Sequence, residues 1–276
     1  MNRLLLTTAS AVTVVLAAVP ALAQDDWSGP YIGGQVGLLN QPSDSDETLV
    51  FDRDLDRRFN DQVTTSGGAN AFSPGFCGGA ASSPANAGCV GDDEEADAGI
   101  RGGYDWQTGS WVYGVVGEVS WVDATDSVSG FSTTPASYTF TRETNWLAAV
   151  RGRAGYLFGP YLAYGTAGIV QADVDHAFAT SNTLNAFTPR NDDSLNGYQL
   201  GVGVERKIGD SGWSVGAEYL FTSLDDEDYT VSVTQGAAGP TNPFILAPNT
   251  AGTDIRRSEN EFEFDSVRLT ATYRFD

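Results

Sequence analysis

Hydrophobic and polar positions alternate most clearly over Trp111–Val122, WVYGVVGEVSWV. Trp111, Tyr113, Val115, Gly117, Val119 and Trp121 share one phase; Val112, Gly114, Val116, Glu118 and Ser120 share the other. Period two is the mark of a β-strand, whose successive side chains point to opposite faces. The first face is apolar with an aromatic at each end. The second is smaller and carries an acid. Ten residues at about 3.3 Å rise reach roughly 33 Å, which a tilt of about 40° reduces to about 25 Å. That height, with Trp at both ends, suits a strand crossing the apolar band of an outer bacterial membrane. A strand of a water-soluble sandwich would present a polar outer face instead, so the remaining segments decide.

Seven further segments repeat the pattern. The first is Tyr31–Leu39, with Ile32, Val36 and Leu38 opposite Gly33, Gln35 and Gly37. Ala96–Trp106 sets Ala98, Ile100, Tyr104 and Trp106 against Asp97, Arg101 and Asp105. Thr144–Phe158 sets Trp146, Ala148, Val150, Ala154 and Tyr156 against Asn145, Arg151 and Arg153. In Tyr161–Asp175 both phases are small and apolar, so its facing is ambiguous. Leu195–Ile208 alternates Tyr198, Leu200, Val202 and Val204 with Gln199 and Glu205. Trp213–Ser223 sets Trp213, Val215, Ala217, Tyr219 and Phe221 against Ser214, Glu218 and Thr222. Glu259–Phe275 closes the series, with Val267, Leu269, Ala271, Tyr273 and Phe275 opposite Arg268, Thr270, Thr272 and Arg274.

The connections alternate long and short. Asn40–Glu95, Asp123–Glu143, His176–Ser194 and Leu224–Ser258 are long and polar; those around Gln107–Ser110, Gly159-Pro160 and Lys207–Gly212 are turn-sized. A structureless loop of roughly 55 residues is rare in a compact soluble domain, whereas one end of an outer-membrane barrel carries long loops. The expected fold is all-β: an eight-stranded antiparallel up-and-down transmembrane β-barrel with four long outer loops and short periplasmic turns. Trp106, Trp111, Tyr156, Tyr161, Trp213, Tyr273 and Phe275 flank the short turns as an aromatic girdle would, and Trp121 and Trp146 mark the outer side.

The first residues add an address. Arg3, the apolar run Leu4–Val19 and Ala21-Leu22-Ala23 read as a secretory signal peptide over residues 1–23, cut before Gln24. Residues 24–276 then form one barrel domain, with 40–95 as a long acidic surface loop, and the expected location is the outer membrane. No later stretch is apolar for about 18 residues, so any crossing of a membrane falls to strands. With 15 Lys and Arg against 36 Asp and Glu, and a pI near 4.1, nucleic acid is excluded as a partner. A mean hydropathy of -0.21 fits a barrel, in which only alternate strand residues meet lipid.

The two cysteines, Cys77 and Cys89, enclose a Gly/Ala/Ser/Pro-rich segment. In an exported chain they read as a local disulfide pinning the loop; the alternative is two free thiols. With no His or second Cys pair nearby, a metal site is not expected there, and no cofactor is expected anywhere.

An eight-stranded barrel has an interior just wide enough for side chains to fill. Asp97, Arg101, Glu118, Arg151, Arg153, Glu205, Glu218 and Arg268 fall in the inward phase and read as an interior ion-pair network, because buried charges must be paired. The rival reading is a narrow gated pore lined by them. The acidic stretches Asp44–Asp61 and Asp92–Glu95 read as solvated surface, or alternatively as carboxylates bridging Ca²⁺ or Mg²⁺ to lipopolysaccharide phosphates; the spacing lacks the Gly and Glu of an EF-hand loop. Catalysis would need a rim constellation. The sole histidine, His176, lies beside Asp173 and Asp175, which could make a general base, but the simpler reading is a surface ion pair and no enzyme.

Several stretches carry a family likeness. WSGPYIGGQVG at Trp27–Gly37, NWLAAVRGRAGYLF at Asn145–Phe158, GYQLGVGVERKI followed by WSVGAEYLFTSL, and the terminal DSVRLTATYRF resemble the strands of OmpA-like, alphaproteobacterial outer-membrane β-barrel proteins. The resemblance covers the strands and not the loops, and Asp276 follows the aromatic residue on which that family usually ends. It implies insertion from the periplasm by the barrel-assembly machinery through the C-terminal strand, with outer-membrane lipid and lipopolysaccharide as neighbours. The expected role is structural, in envelope integrity, with surface-exposed loops; the alternatives are a narrow small-solute channel and a surface adhesion or ligand-binding barrel.

Overall fold

A computed structural model describes residues 26–40, 47–91, 95–190, 194–226 and 229–275. The expected signal peptide and Asp44, Asp46 and Asp92–Glu94 of the acidic stretches lie outside them. In chain order the strands are β1 (Gly29–Asn40), β2 (Leu49–Asp52), β3 (Gly75–Gly78), β4 (Ala80–Ala81), β5 (Cys89–Val90), β6 (Glu95–Thr108), β7 (Trp111–Ser132), β8 (Ala136–Phe158) and β9 (Tyr161–Thr180). Then follow β10 (Ala186–Arg190), β11 (Ser194–Lys207), β12 (Trp213–Asp225), β13 (Thr230–Thr234), a 3₁₀ turn at Pro243–Ile245, β14 (Thr253–Arg257) and β15 (Glu261–Arg274).

Eight of these close a ring. β1 pairs with β6, β6 with β7, β7 with β8, β8 with β9, β9 with β11, β11 with β12, β12 with β15, and β15 returns to β1, every pair antiparallel. Closure leaves no unpaired strand edge among these eight, which is what a spanning sheet requires where no water can satisfy the backbone. Ile32, Val36, Ile100, Val150, Ile169, Val202, Val267 and Leu269 point outward and lie open on the barrel wall. β9, ambiguous in the sequence, turns Leu162, Tyr164, Val170, Ala172 and Val174 inward.

The girdle residues all face outward. Near the short turns Trp111 meets Tyr156 edge to face at 5.2 Å, Trp213 meets Tyr273 at 5.4 Å, and Tyr273 meets Phe275 at 5.2 Å. Trp106 packs with Tyr104, and Tyr161 with Phe158. At the other end Trp121 and Trp146 are register partners across β7 and β8.

The long connections differ from the expectation of polar loops. Three strands do not stop at the aromatic row: β7, β8 and β9 run for 22, 23 and 20 residues, against 12 to 14 for the other five of the ring. The stretch read as loop 123–143 is therefore mostly strand, turning at 133–135. Bulges between Trp121 and Ala124 of β7 and between Thr144 and Trp146 of β8 mark the passage out of the barrel, where an extra residue bends a strand and re-aims its side chains. Beyond them β3 pairs with β7, and β10, β13, β14 and β2 form a second sheet. Between the two layers lies a core of Leu49, Phe51, Phe72, Val128, Tyr138, Phe140, Val231, Val233, Phe244 and Ile255. The loops thus build a folded head with its own hydrophobic interior. Cys77 of β3 and Cys89 of β5 are joined by a disulfide, with Cα atoms 6.1 Å apart.

A closed ring of this kind resists detergent at room temperature and opens on boiling. The unboiled protein should run faster on a detergent gel than the boiled chain; one mobility under both conditions would contradict closure.

Candidate functional site

The lumen is the place where chemistry could occur, and side chains fill it in layers. At mid-height three arginines face three acids. Arg101 lies 3.0 Å from Glu218, Arg151 lies 2.8 Å from Glu218 and also pairs with Glu118, and Arg268 lies 2.7 Å from both Glu118 and Asp97. The Tyr164 hydroxyl donates to Glu218 at 2.6 Å. These groups come from β6, β7, β8, β9, β12 and β15, so the lattice ties opposite walls together. Arg151 and Arg268 are wholly buried. Glycines make the space: a Cβ at Gly37 would overlap Asp97 and Arg268, and one at Gly114 would overlap Asp105.

Toward the short turns lies a second balanced layer. Arg153 contacts Asp105 at 2.8 Å and Glu205 at 2.7 Å, and Arg274 contacts Asp105 at 2.7 Å. Trp27, entirely buried, closes this end beneath the cations of Lys207 and Arg274, each 5.5 Å from its ring. Above mid-height a hydrophobic cluster of Leu39, Val122, Leu147, Val170, Val174, Leu224, Phe262 and Phe264 packs the lumen, with buried Thr144, Gln199 and Thr222 beside it.

The eight sequence-predicted interior residues are thus divided. Asp97, Arg101, Glu118, Arg151, Glu218 and Arg268 sit in one lattice, and Arg153 and Glu205 in the layer below. Sequence reasoning left out Asp105 and Arg274 of that layer, although both stand in the inward phase.

It also missed a third network, at the rim where barrel meets head. Arg257 contacts Glu47 at 2.5 Å and Asp126 at 2.7 Å; Arg142 contacts Asp126 at 2.7 Å and Asp226 at 3.1 Å. His176 completes it, its Nε2 lying 2.9 Å from Asp226 Oδ1 while its ring stacks on Tyr229 at 4.5 Å. The expected neighbours of His176 are wrong for a simple reason. Successive strand residues point apart, so Asp173 and Asp175 lie on the other face of β9, and a residue 50 positions away is the partner. The histidine is enclosed, with a side chain 1% exposed. Burial would raise the Asp226 carboxyl, but the His176 hydrogen bond and the Arg142 charge outweigh it and hold it below the ordinary value. Burial, helped by the Asp226 charge, pushes the Tyr229 phenol up to about 12.

In the first head segment, carboxylate oxygens of Asp52, Asp54 and Asp61 lie within 4.8 Å of one another. The Asp52 oxygens accept the Asp56 and Arg57 backbone N–H groups, and Asp61 accepts from Arg53 and Asp54. Their visible work is to hold the turn at 52–61.

Two outcomes follow from the charged layers. Arg151→Ala leaves the buried Glu118 and Glu218 short of a partner and should cost about 3–5 kcal/mol, read as a lower urea midpoint of the heat-modifiable form; Val150→Ala, one residue away on the lipid face, is the control that should change little. At the rim, Asp226 has a lowered folded pKa. Its contribution is therefore full above the unfolded value of about 3.9 and lost as pH falls through the lower folded value. Hydrogen-exchange protection factors of β13, corrected for the intrinsic pH dependence of exchange, should fall on acidification below about pH 4, and Asp226→Asn should remove that acid dependence while lowering protection at pH 7.

The match to a known family agrees with the architecture. The model of the family described as outer membrane protein beta-barrel domain matches residues 9–275. A 22 kDa outer membrane protein of Rhizobium leguminosarum bv. viciae is 32% identical over 127 residues, which is 46% of this chain and 52% of that protein, so the match spans about half of the relative. Among solved structures, OprG of Pseudomonas aeruginosa superposes with a TM-score of 0.46 at 12% identity over 90% of this chain and 97% of its own. The outer membrane protease OmpT of Escherichia coli gives 0.43 at 8% identity over 92% and 99%. A family match over nearly the whole length, on a closed antiparallel ring with an apolar wall, makes this chain a member of the outer membrane protein β-barrel domain family, placed in the outer membrane.

Proposed function

We propose that the protein is a non-conducting, non-catalytic outer-membrane barrel that contributes to envelope structure and holds a folded head at the cell surface. The observation that carries this reading is the lumen. Balanced ion pairs cross it at mid-height, a hydrophobic cluster lies above, and Trp27 lies below. A narrow solute channel would need a continuous wet path, and each of these layers interrupts one. The only histidine is spent on a buried contact with Asp226 and has no access to a substrate from the rim.

Export by the N-terminal segment would place the short turns in the periplasm and the head outside. Outer-membrane lipid and lipopolysaccharide would then border the apolar wall and the aromatic rows, and β15, which joins β1 to β12, would be the strand handed to the barrel-assembly machinery. A second reading, ligand capture at the surface, is favoured by one observation: the outer segments form a packed head with a core of its own, and loops held on a rigid scaffold are where binding sites concentrate.

Planar bilayer recordings of the purified protein test the main reading. It predicts no large, steady openings; sustained conductance from the intact barrel would overturn it.

A further inference from the structure

The far end of the head contains a cavity of about 370 Å³. Four segments converge on it: the β7–β8 turn at 132–136, the β9–β10 turn at 181–184, the stretch 238–244 around the 3₁₀ turn, and Ala71-Phe72. We propose that this cavity binds a neutral saccharide. The inference rests on the ligand-capture reading of the head and does not depend on whether the lumen conducts.

Three features argue for that ligand class. First, none of the lining residues carries a charge, in a chain whose net charge is -21. An anionic glycan would meet no cation in the cavity, and a cationic ligand would find no carboxylate there. Second, the walls offer neutral donors and acceptors. Thr133, Thr134, Ser181, Thr183 and Thr241 bring exposed hydroxyls to one opening. Such groups both donate and accept, as sugar hydroxyls require. Third, the site is preorganised. The Asn182 side-chain amide donates to Tyr138 Oη and to Asn185 Oδ1, both at 3.0 Å, and its carbonyl oxygen accepts from the Leu184 backbone at 2.9 Å. Asn185 and Asn242 are hydrogen-bonded to one another, and Asn242 caps the 3₁₀ turn through Phe244 N at 3.1 Å. Beneath them the rings of Phe72, Tyr138 and Phe244 pack together at 5.2 to 6.0 Å and give the cavity a firm apolar floor. A rigid concave site with an apolar base and a few convergent polar groups fits the usual form of a small-ligand site, and its volume lies at the low end of the roughly 300–1,000 Å³ range.

The test uses the full chain in phosphocholine micelles, since maltoside headgroups would compete. Saturation-transfer NMR is recorded with chitobiose, lactose and maltose, beside a heparin-derived disaccharide and an uncharged tetrapeptide. At least one neutral disaccharide should bind in the millimolar range, with no transfer to the heparin fragment. Gly239→Phe should weaken binding tenfold or more: a Cβ at Gly239 meets nothing within 4 Å, so the ring can enter the opening without displacing the core. Thr183→Ala, at an exposed position, should weaken it severalfold and keeps the test decisive if the larger substitution misfolds. Ser83→Ala, on the disulfide loop, should change nothing. Absence of any neutral binding to heat-modifiable protein would overturn the proposal, as would equal binding of the heparin fragment or indifference to both cavity variants. Binding of the tetrapeptide alone would overturn the saccharide and leave ligand capture by the head standing.

Discussion

The structure depends on the pairing of charges inside a barrel too narrow to hold them in water. Eight strands enclose a space that side chains must fill, and the period-two geometry that sends apolar residues to lipid sends their neighbours into that space. Once Arg101, Arg151 and Arg268 point inward, three acids must meet them, and Asp97, Glu118 and Glu218 do. The layer below repeats the equality with Arg153 and Arg274 against Asp105 and Glu205. No single pair is strongly stabilising, because desolvation offsets much of the attraction. What the lattice fixes is register. Sliding one strand by a residue would turn every inward charge into lipid and leave its partners unmatched. The glycines serve the same end, since Gly37 and Gly114 leave room where a wide guanidinium or its carboxylate must lie.

The rim follows the same rule with a different outcome. Arg142 and Arg257 supply two positive charges against the three acids Glu47, Asp126 and Asp226. His176 stands where the barrel's electrostatics end and the head's packing begins, with Asp226 on one side of its ring and Tyr229 on its face. The bulges near Asn145 and before Ala124 lie at this height. They let β7 and β8 leave the barrel with a changed pleat, so that one continuous pair of strands belongs to a membrane wall below and to a two-layer core above.

What was legible in the sequence follows from this geometry. Strand phase was readable because lipid on one side and a packed lumen on the other impose strict alternation; Trp111–Trp121 and Trp213–Phe221 display it directly. Eight of the ten lumen charges are assigned to the interior by phase alone; what phase does not show is that six of them share one lattice and two belong to the layer below. The head was not readable in the same way. Its strands are short, β2 and β10 having four and five residues, and they sit among Asp, Ser, Asn and Gly, so polarity averaged over each loop hid them. A signal was present: Tyr138 and Phe140 in β8, and Val231 and Val233 in β13, alternate as core strands do. His176 was misplaced by the opposite error. Asp173 and Asp175 are close to it in sequence but not in space: the pleat separates them and the fold brings Asp226 instead.

The partition of charge then explains the character of the surface. The two lumen layers consume five basic and five acidic residues, so the whole excess of 21 negative charges lies outside them. Apart from the buried rim acids, whose partners are Arg142 and Arg257, that excess falls to residues outside these networks, where solvent can screen it. Against such a field an uncharged patch is not the default. Converging turns that are Ser-, Thr- and Asn-rich, yet free of Asp and Glu among the cavity's lining residues, stand apart from the head around them. The same constraint that forces inward charges into pairs allows outward ones to accumulate freely, and the tip of the head is where the chain declines to use that freedom.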